Sequence, residues 1–277
     1  MQRDDDAKVA RPWTTPLLRW AGSKRKLLPE LLAHIPSDFA TYVEPFLGSG
    51  CLFFALRPER AILGDVNRQL IATYESLRNH PRIIHRIISE WPRSSSFYYW
   101  LRDQSAFNDE VTLSARFVYL NRFCFNGVFR TNKAGRFNVP RGIRTGELPN
   151  RVHFYRCATA LKGTTLQQGD FQTCLMQVKK GDFVYLDPPY AKEGGRFRGE
   201  YGYGAFCVED IHRLLECIAE IDHRGAKFLL SYSYCKEIRR ALDQWFYKAI
   251  LVRRHVAGFG TDRRTIREVL VANFSLK

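Results

Sequence analysis

Four consecutive residues, Asp187-Pro188-Pro189-Tyr190, follow the apolar run Phe183-Val184-Tyr185-Leu186 and bring together the groups needed to hold an amino group on an aromatic base. A short apolar run ending in an acid reads as a buried parallel strand that delivers its last side chain to the carboxyl edge of a sheet, where open α/β folds place ligands. Two successive prolines fix φ and remove two backbone donors, giving a stiff loop rich in acceptor carbonyls. Tyr190 adds a flat face. An adenine 6-amino group has two hydrogens to donate, so a carboxylate and a carbonyl can accept both while the ring stacks on the base. Accepting both localises the nitrogen lone pair and readies it for attack. Taken alone, the tetrapeptide can also be read as an ordinary strand-to-loop turn with Asp-Pro-Pro as punctuation; its partners elsewhere decide.

A second constellation, Tyr42-Val43-Glu44-Pro45-Phe46-Leu47-Gly48-Ser49-Gly50, reads as strand, glycine turn and then a helix beginning near Cys51. Gly48 and Gly50 let the backbone approach a ligand closely. Ala61-Ile62-Leu63-Gly64-Asp65 reads as a second strand ending in an acid, close to where nucleotide folds place the carboxylate that binds ribose hydroxyls. Together they suggest an adenosine-bearing cofactor. The spacing falls short of the roughly 20 residues of the dinucleotide fingerprint, and its third glycine is missing, which argues against NAD. No Lys-Ser or Lys-Thr follows Gly50, which excludes a Walker phosphate loop.

Trp20-Ala21-Gly22-Ser23-Lys24, the Val43 to Gly50 segment, Asp65-Val66-Asn67, Tyr119-Leu120-Asn121-Arg122, Phe125-Asn126-Gly127, Phe137-Asn138-Val139-Pro140 and Asp187-Pro188-Pro189-Tyr190 stand in the order found in Dam-type, or alpha-class, DNA adenine-N6 methyltransferases, which the chain resembles from about residue 17 to 275. The resemblance implies S-adenosyl-L-methionine as methyl donor, a flipped-out adenine in duplex DNA as acceptor, and a Rossmann-like α/β sheet interrupted by a mostly helical target-recognition lobe carrying a β-hairpin. Carried over by position, Trp20 and Lys24 match the N-terminal cofactor and active-site motif, Asp65 the ribose acid, and Asp187, with Pro188 and Tyr190, the catalytic motif. Phe46, Gly48 and Gly50 fall in the cofactor turn. Ser23 departs from the usual glycine and crowds the cofactor slightly. Asp170 and Phe171 resemble the segment that holds the cofactor's adenine, but serve equally as a helix N-cap and a core aromatic. Glu44 is placed either to contact the cofactor's amino acid moiety or its loop, or to pair with a helix dipole.

The residues fit that chemistry without the resemblance. Methyl transfer from a sulfonium to an amine is an in-line displacement that asks the protein to align donor and acceptor and to stabilise charge on nitrogen. No metal or covalent nucleophile is needed. No strong base is needed either, because the methylated nitrogen is acidic while it carries positive charge.

Composition agrees with a nucleic-acid substrate. The formal net charge is +15 over 277 residues and the sequence pI is near 9.7, which favours a polyanion over a small acidic metabolite, although basicity by itself also serves solubility. Arg130, Lys133, Arg136, Arg141 and Arg144 crowd a segment from Phe123 to Arg144 that reads as a hairpin or long loop, with Asn132-Lys133-Ala134-Gly135 at its turn. Such a ribbon can enter the major groove, where arginine pairs with a guanine edge and lysine holds phosphate. The resemblance places Phe125 and Asn126 near the flipped adenine and the orphan base, Val128 and Pro140 against bases and Arg130 on a guanine, with GATC as target. The family usually has tyrosine where Phe125 stands. Asn121 and Arg122 are read as finishing the preceding helix and bracing the hairpin. Arg253-Arg254-His255 with Arg263, Arg264 and Arg267, flanking the 258–261 glycine loop, grip phosphates or form a solvated edge.

The elements that position these residues follow from periodicity. Residues 17–67 and 157–277 alternate strands and helices as one catalytic domain, and 68–156 interrupts them as the DNA target-recognition domain, with helices over 68–80, 81–91, 97–103 and 110–122. Later strands are expected at 227–231, 247–254 and 265–274, with helices near 208–222 and 234–245. Residues 1–16 form a flexible tail. The glycine-rich segment 191–205 orders over DNA or cofactor. Seven cysteines with no C-x-x-C pair argue for reduced thiols, a cytoplasmic setting with nucleoid association through DNA, and no zinc. No apolar run approaches membrane-spanning length. Two rivals stay open: the same clamp serving RNA or a protein glutamine, and a catalytically silent DNA-binding protein. Repair marking, protection beside a restriction endonuclease or other defence-system partner, and phage or mobile-element roles would all use the same enzyme.

Overall fold

The apolar runs become strands because each places its branched and aromatic side chains alternately on two buried faces. The computed structural model describes residues 14–104, 107–132, 134–143, 145–191, 206–235, 238–239, 242–255 and 263–277, with backbone alone for 242, 252–255 and 263–267. Lys133, Arg144, residues 192–205 of the glycine-rich segment and the 258–261 loop lie outside the described residues. The strands are β1 (Tyr42–Glu44), β2 (Ala61–Asp65), β3 (Thr164–Gln168), β4 (Phe183–Leu186), β5 (Lys227–Ser233), β6 (Phe246–His255) and β7 (Arg263–Ala272). The helices are α1 (Leu28–Ala33), α2 (Cys51–Leu56), α3 (Arg68–Asn79), α4 (Pro81–Glu90), α5 (Ser95–Asp103), α6 (Glu110–Phe123), α7 (Arg151–Ala160), α8 (Phe171–Leu175) and α9 (Val208–His223).

The strands form one sheet in the order β3-β2-β1-β4-β5-β7-β6, the Rossmann-like α/β arrangement that the sequence implies. It is parallel from β3 to β5, and β7 inserts antiparallel between β5 and β6. The order reverses between β1 and β4, and it is outside the carboxyl ends at such a switch point that a ligand crevice forms. One face buries Tyr42, Leu63, Phe183, Tyr185, Leu229 and Leu270. The other buries Val43, Val184, Leu186, Phe228, Leu230 and Val271 against α8 and α9.

From Val66 to Gly163 the chain leaves the sheet and builds α3 to α7. Asn67, Ser94, Asp109 and Asn150 each accept from the backbone N–H three residues on, capping α3, α5, α6 and α7, each cap being worth about 1 kcal/mol. Helix α6 packs against α3, α4 and α5 and is buried on most of its surface, which is why its sequence shows little amphipathic pattern. Thr14 is buried, and His153 Nε2 of α7 donates to Thr15 O at 2.7 Å; the chain is therefore tied down ahead of the residue-17 boundary expected from sequence.

Two expectations need adjustment. The 123–144 hairpin exists, but as two isolated antiparallel bridges, Cys124 with Arg141 and Thr131 with Phe137, with a 3-10 turn at Phe125–Gly127 between them. Asn132 explains the irregular tip: its Oδ1 accepts from Ala134 N and Arg136 N, both at 3.0 Å, and takes the place of ladder carbonyls. The helix expected near 234–245 lies partly outside the described residues, at 236, 237, 240 and 241; within the described ones Ile238–Arg239 are helical, Arg239 N donates to Cys235 O at 3.0 Å, and Leu242–Gln244 form a 3-10 turn in place of a last helical turn. Trp245 packs edge-on against Phe228 and donates to Asp222 Oδ2 at 2.9 Å, which turns the chain directly into β6.

Gly64 in β2 has no space for a side chain: a Cβ there would run into Cys174 Sγ, with Pro45 Cα at 3.5 Å. Gly64→Ala is expected to cost about 1–3 kcal/mol, read as a lower midpoint in chemical denaturation, and adding Cys174→Ala should recover part of it. An unchanged midpoint in the single variant would refute this packing.

Candidate functional site

Three acids stand at the carboxyl ends of three adjacent strands: Asp65 ends β2, Glu44 ends β1 and Asp187 follows β4. Asp65 is clamped by the turns on either side of it, accepting from Gly48 N at its Oδ2 and from Asn67 N at its Oδ1, both at 2.9 Å. Burial nevertheless pushes its pKa up to about 6, the two backbone bonds acting in the opposite direction. Glu44 is almost fully buried and accepts from Tyr42 OH at 2.8 Å. Burial lifts its pKa to about 8; the Tyr42 bond lowers it and the nearby Asp187 charge raises it.

Asp187 is held by Lys24, which arrives from a 3-10 turn (Lys24–Leu27) at the other end of the chain. Lys24 Nζ lies 3.1 Å from Asp187 Oδ1 and 3.4 Å from Glu268 Oε2, and donates to Tyr190 OH at 2.8 Å. Tyr190 OH in turn donates to Glu268 Oε1 at 2.9 Å. Burial alone would lower the Lys24 pKa, but Asp187, Tyr190 and Glu268 outweigh it and hold the ammonium above the ordinary lysine value. Burial also raises Tyr190, which stays a neutral phenol. The loop is pinned on its far side by Tyr232, whose OH accepts from Ala191 N at 2.9 Å and donates to Pro189 O at 3.4 Å, with the Tyr190 and Tyr232 rings 5.1 Å apart. One of the two proline carbonyls is thus engaged in holding the loop.

The turn after β1 makes a cradle. Gly48 and Gly50 both have positive φ, 47° and 63°, and a Cβ on Gly48 would lie 2.7 Å from the Trp20 indole. Only glycine allows that approach without strain. Trp20 stacks on Phe129 of the hairpin at 5.6 Å and on Phe117 of α6 at 6.5 Å. Ser23 has φ −49°, ordinary backbone for any residue, and its hydroxyl accepts from Ser49 Oγ at 3.3 Å. Phe46 packs on Phe171 at 5.3 Å and edge-on against Phe206 at 5.9 Å. Asp170 caps α8 by accepting from Gln172 N at 3.0 Å and pairs with Arg213 at 2.8 Å, while Phe171 is buried beneath the Arg213 guanidinium.

On the hairpin, Phe125, Asn126, Arg136 and Pro140 are exposed, and Val128 and Arg130 are half-buried. Phe125 N donates to Pro140 O at 2.9 Å, which sets these residues side by side, and Asn126 takes a left-handed conformation with φ 52°. Arg130 is braced by its own ribbon: its Nε donates to Asn138 Oδ1 at 3.1 Å. Asn121 does not brace the hairpin directly. It is buried and clamps the backbone of Arg19, accepting from Arg19 N at 2.8 Å and donating to Arg19 O at 2.7 Å, which fixes the residue before Trp20. Arg122 holds the irregular segment beyond the hairpin through Glu147 O at 2.5 Å.

Glu268 and Tyr232 escape the reading of the sequence. The available signal for Glu268 is an acid beside the apolar run Val269-Leu270-Val271; it is almost fully buried, and buried acids are rare unless paired. Among the described residues no group of three His, Cys, Asp or Glu is arranged to hold a metal, and no helix is long and apolar enough to cross a membrane.

Comparison with known proteins agrees with this geometry. The sequence profile of the D12 class N6 adenine-specific DNA methyltransferases matches residues 20–257. A Type II methyltransferase of Lactococcus lactis subsp. cremoris is 31% identical over 274 residues, covering 94% of this chain and 95% of the relative. A Type II methyltransferase of Methanocaldococcus jannaschii is 31% identical over 286 residues, covering 94% and 99%. The DNA adenine methylase of Escherichia coli is 27% identical over 263 residues, covering 91% and 93%.

The raised carboxyls give a pH dependence with a definite sign. The folded chain keeps a proton on Asp65 up to about pH 6 and on Glu44 up to about pH 8, where the unfolded chain has already released both, so the stability each contributes falls as pH rises through its own window. Denaturant titrations between pH 5 and 9 should show Glu44→Gln gaining on the wild type as pH increases. Parallel curves for the two proteins would mean that Glu44 titrates normally.

Proposed function

The chain belongs to the D12 class of N6-adenine-specific DNA methyltransferases, and from that premise we propose that it methylates a flipped adenine within GATC in duplex DNA, with S-adenosyl-L-methionine as donor. The observation that carries the reading is the Asp187 carboxylate, fixed by Lys24 at the carboxyl end of β4 beside the β1 switch point and followed by two prolines.

The pocket suits that cofactor on three counts: a glycine turn that a Cβ would close against Trp20, a carboxylate at the end of β2, and a further buried acid at the end of β1. Asp65 would take the ribose hydroxyls, Glu44 and Lys24 would face the amino acid moiety, and Phe46, Asp170 and Phe171 would border the adenine. Gly48 and Gly50 would line the close approach. When bound, S-adenosyl-L-methionine supplies an electrophilic methyl group carried on a sulfonium.

The remaining work belongs to this chain's own residues. The Asp187 carboxylate and the Pro188 carbonyl accept the two hydrogens of the base amino group, and the Tyr190 ring stacks on the base. Lys24 takes Asp187 Oδ1, so the carboxylate cannot rotate away from its acceptor role. Such preorganisation removes the reorientation cost that a mobile carboxylate would add to the barrier. Once methylated, the nitrogen is acidic and its proton leaves to solvent, so Asp187 acts as acceptor and electrostatic stabiliser.

Residues 68–156 are taken as the target-recognition lobe. Phe125, Asn126 and Pro140, adjacent and exposed, are placed to fill the gap left by the flipped base, with Val128 as an apolar contact. Arg130 reads guanine from a side chain already oriented by Asn138, and Arg136, with Lys133, holds phosphate.

Labelled methyl transfer to unmethylated duplex, with the modified positions mapped, tests the reading. Methyladenine confined to GATC is expected, and Asp187→Ala should keep DNA binding while losing most turnover; loss of DNA binding in equal measure would remove the assigned role. Arg130→Ala should cost about 1–3 kcal/mol at one guanine and relax specificity there, measured as kcat/KM on duplexes substituted at that base. Unchanged discrimination would exclude Arg130 as the reader.

A further inference from the structure

A second groove lies far from the acids at the strand ends. It is walled by α4 and α7, floored by the chain after α2, and encloses about 1190 Å³. Arg57 stands just ahead of β2 and Lys162 just ahead of β3, so the groove opens at the amino edge of the sheet. Glu44, Asp65 and Asp187 stand at the carboxyl edge, and a ligand held there cannot also fill this groove.

The lining is strongly cationic. Arg57, Arg82, Arg86, Arg151, Arg156 and Lys162 face only two acids, Glu59 and Glu90. Among the described residues none of the six cations forms an ion pair, although arginines elsewhere on the surface do, as Arg102, Arg213 and Arg224 show. Arg82 and Arg86 lie one turn apart on α4, about 6 Å along its axis. Arg82 and Arg151 both lie 5.9 Å from the Tyr155 ring centroid, which holds guanidinium groups from the two walls on one support. Thr159 also lines the groove, while the Ser89 hydroxyl there is already committed to His85 O at 2.6 Å.

Arg57 supplies a second, independent sign. It ends α2 with φ 50° and ψ 60°, the left-handed conformation that favours glycine at a helix terminus. An arginine in that position gives up the easier backbone for a charge directed to the groove. Five guanidiniums to one ammonium suit bidentate recognition of oxyanions, and cations on both walls of an open channel suit a chain of charges more than a single ion.

We propose that this groove binds the phosphodiester backbone of a second segment of nucleic acid while the first is presented at the carboxyl edge. The inference goes beyond methyl transfer and does not depend on which base is modified. Its consequence is retention: the enzyme keeps hold of DNA through the amino-edge groove while the target duplex is exchanged.

The test uses the full chain and a triple variant, Arg86→Gln, Arg156→Gln, Lys162→Gln, all three at exposed positions. Each protein is first saturated with a short unlabelled duplex carrying its mapped methylation site, and a labelled duplex of unrelated sequence is then added. Fluorescence anisotropy reports binding and sedimentation reports stoichiometry. The wild type is expected to hold two duplexes. The variant should bind the second at least tenfold more weakly, with the slope of log K against log salt reduced by roughly 0.9 for each phosphate that is no longer neutralised, while its single-turnover methylation of the short duplex is unchanged. One duplex per wild-type chain, or equal retention of the second by the variant, would overturn the proposal. Polyglutamate displacing the second duplex at equal charge concentration would overturn it in favour of an acidic protein partner. A nucleoside triphosphate that occupies the groove and resists displacement by duplex would overturn it in favour of a small phosphorylated ligand.

Discussion

The Lys24 ammonium is the interaction on which the site depends. One nitrogen touches the catalytic loop through Asp187 and Tyr190 and the antiparallel strand β7 through Glu268. The three segments are remote in sequence, and no backbone ladder joins the N-terminal turn to either of the others. A charge buried this deeply costs several kcal/mol unless paired. Here two carboxylates and a phenol surround it, so the pairing that makes the lysine tolerable also fixes where Asp187 points. Removing the lysine would leave two acids facing each other with no counter-charge, a larger penalty than the absence of a single hydrogen bond.

A second coupling runs from this turn into the recognition hairpin. Asn121 of α6 clamps the backbone of Arg19, and Trp20, next in the chain, stacks on Phe129 of the hairpin while covering Gly48 of the cofactor turn. A Cβ on Gly127 would run into the Arg19 side chain, so the hairpin root and the N-terminal motif are packed without slack. The hairpin root is thereby packed, through Arg19 and Trp20, against the turn beside Asp65. A residue pair 102 positions apart thus connects the hairpin to the glycine turn after β1.

What is legible in the sequence is local. Phe183 to Leu186 ending in Asp187, and Ala61 to Leu63 leading to Asp65, declare a buried strand with an acid at its tip because period, run length and terminal residue all lie within a few positions. The glycine turn is legible for the same reason. Glu268 is hidden because its importance depends on β7 sliding antiparallel between β5 and β6, a pairing that no short window contains. That Asn121 braces the hairpin by way of Arg19 is hidden, because its two side-chain hydrogen bonds go to a segment a hundred residues away. Asp170 and Phe171 admit two readings from sequence, and the cap and the buried ring are both present, which leaves their surfaces still able to border a ligand.

Charge is segregated in a way that neither composition nor fold class discloses. The chain as a whole is strongly basic, yet Glu44, Asp65 and Asp187 stand at the carboxyl ends of adjacent strands, with Lys24 between Asp187 and Glu268. A sulfonium donor is cationic and a DNA backbone anionic, so a uniformly basic cleft would attract the substrate and repel the cofactor. Placing acids at the strand ends, under low-dielectric cover, and arginines on the hairpin separates the two demands by distance, since screened charges lose their influence within about 8 Å at physiological salt. The raised pKa of Glu44 then follows from crowding as well as burial: with Asp187 ionised beside it, a second full negative charge in the same enclosed space is disfavoured. Glu44, at the end of the neighbouring strand, is therefore held towards its protonated form near neutrality, which limits the negative charge gathered at the strand ends.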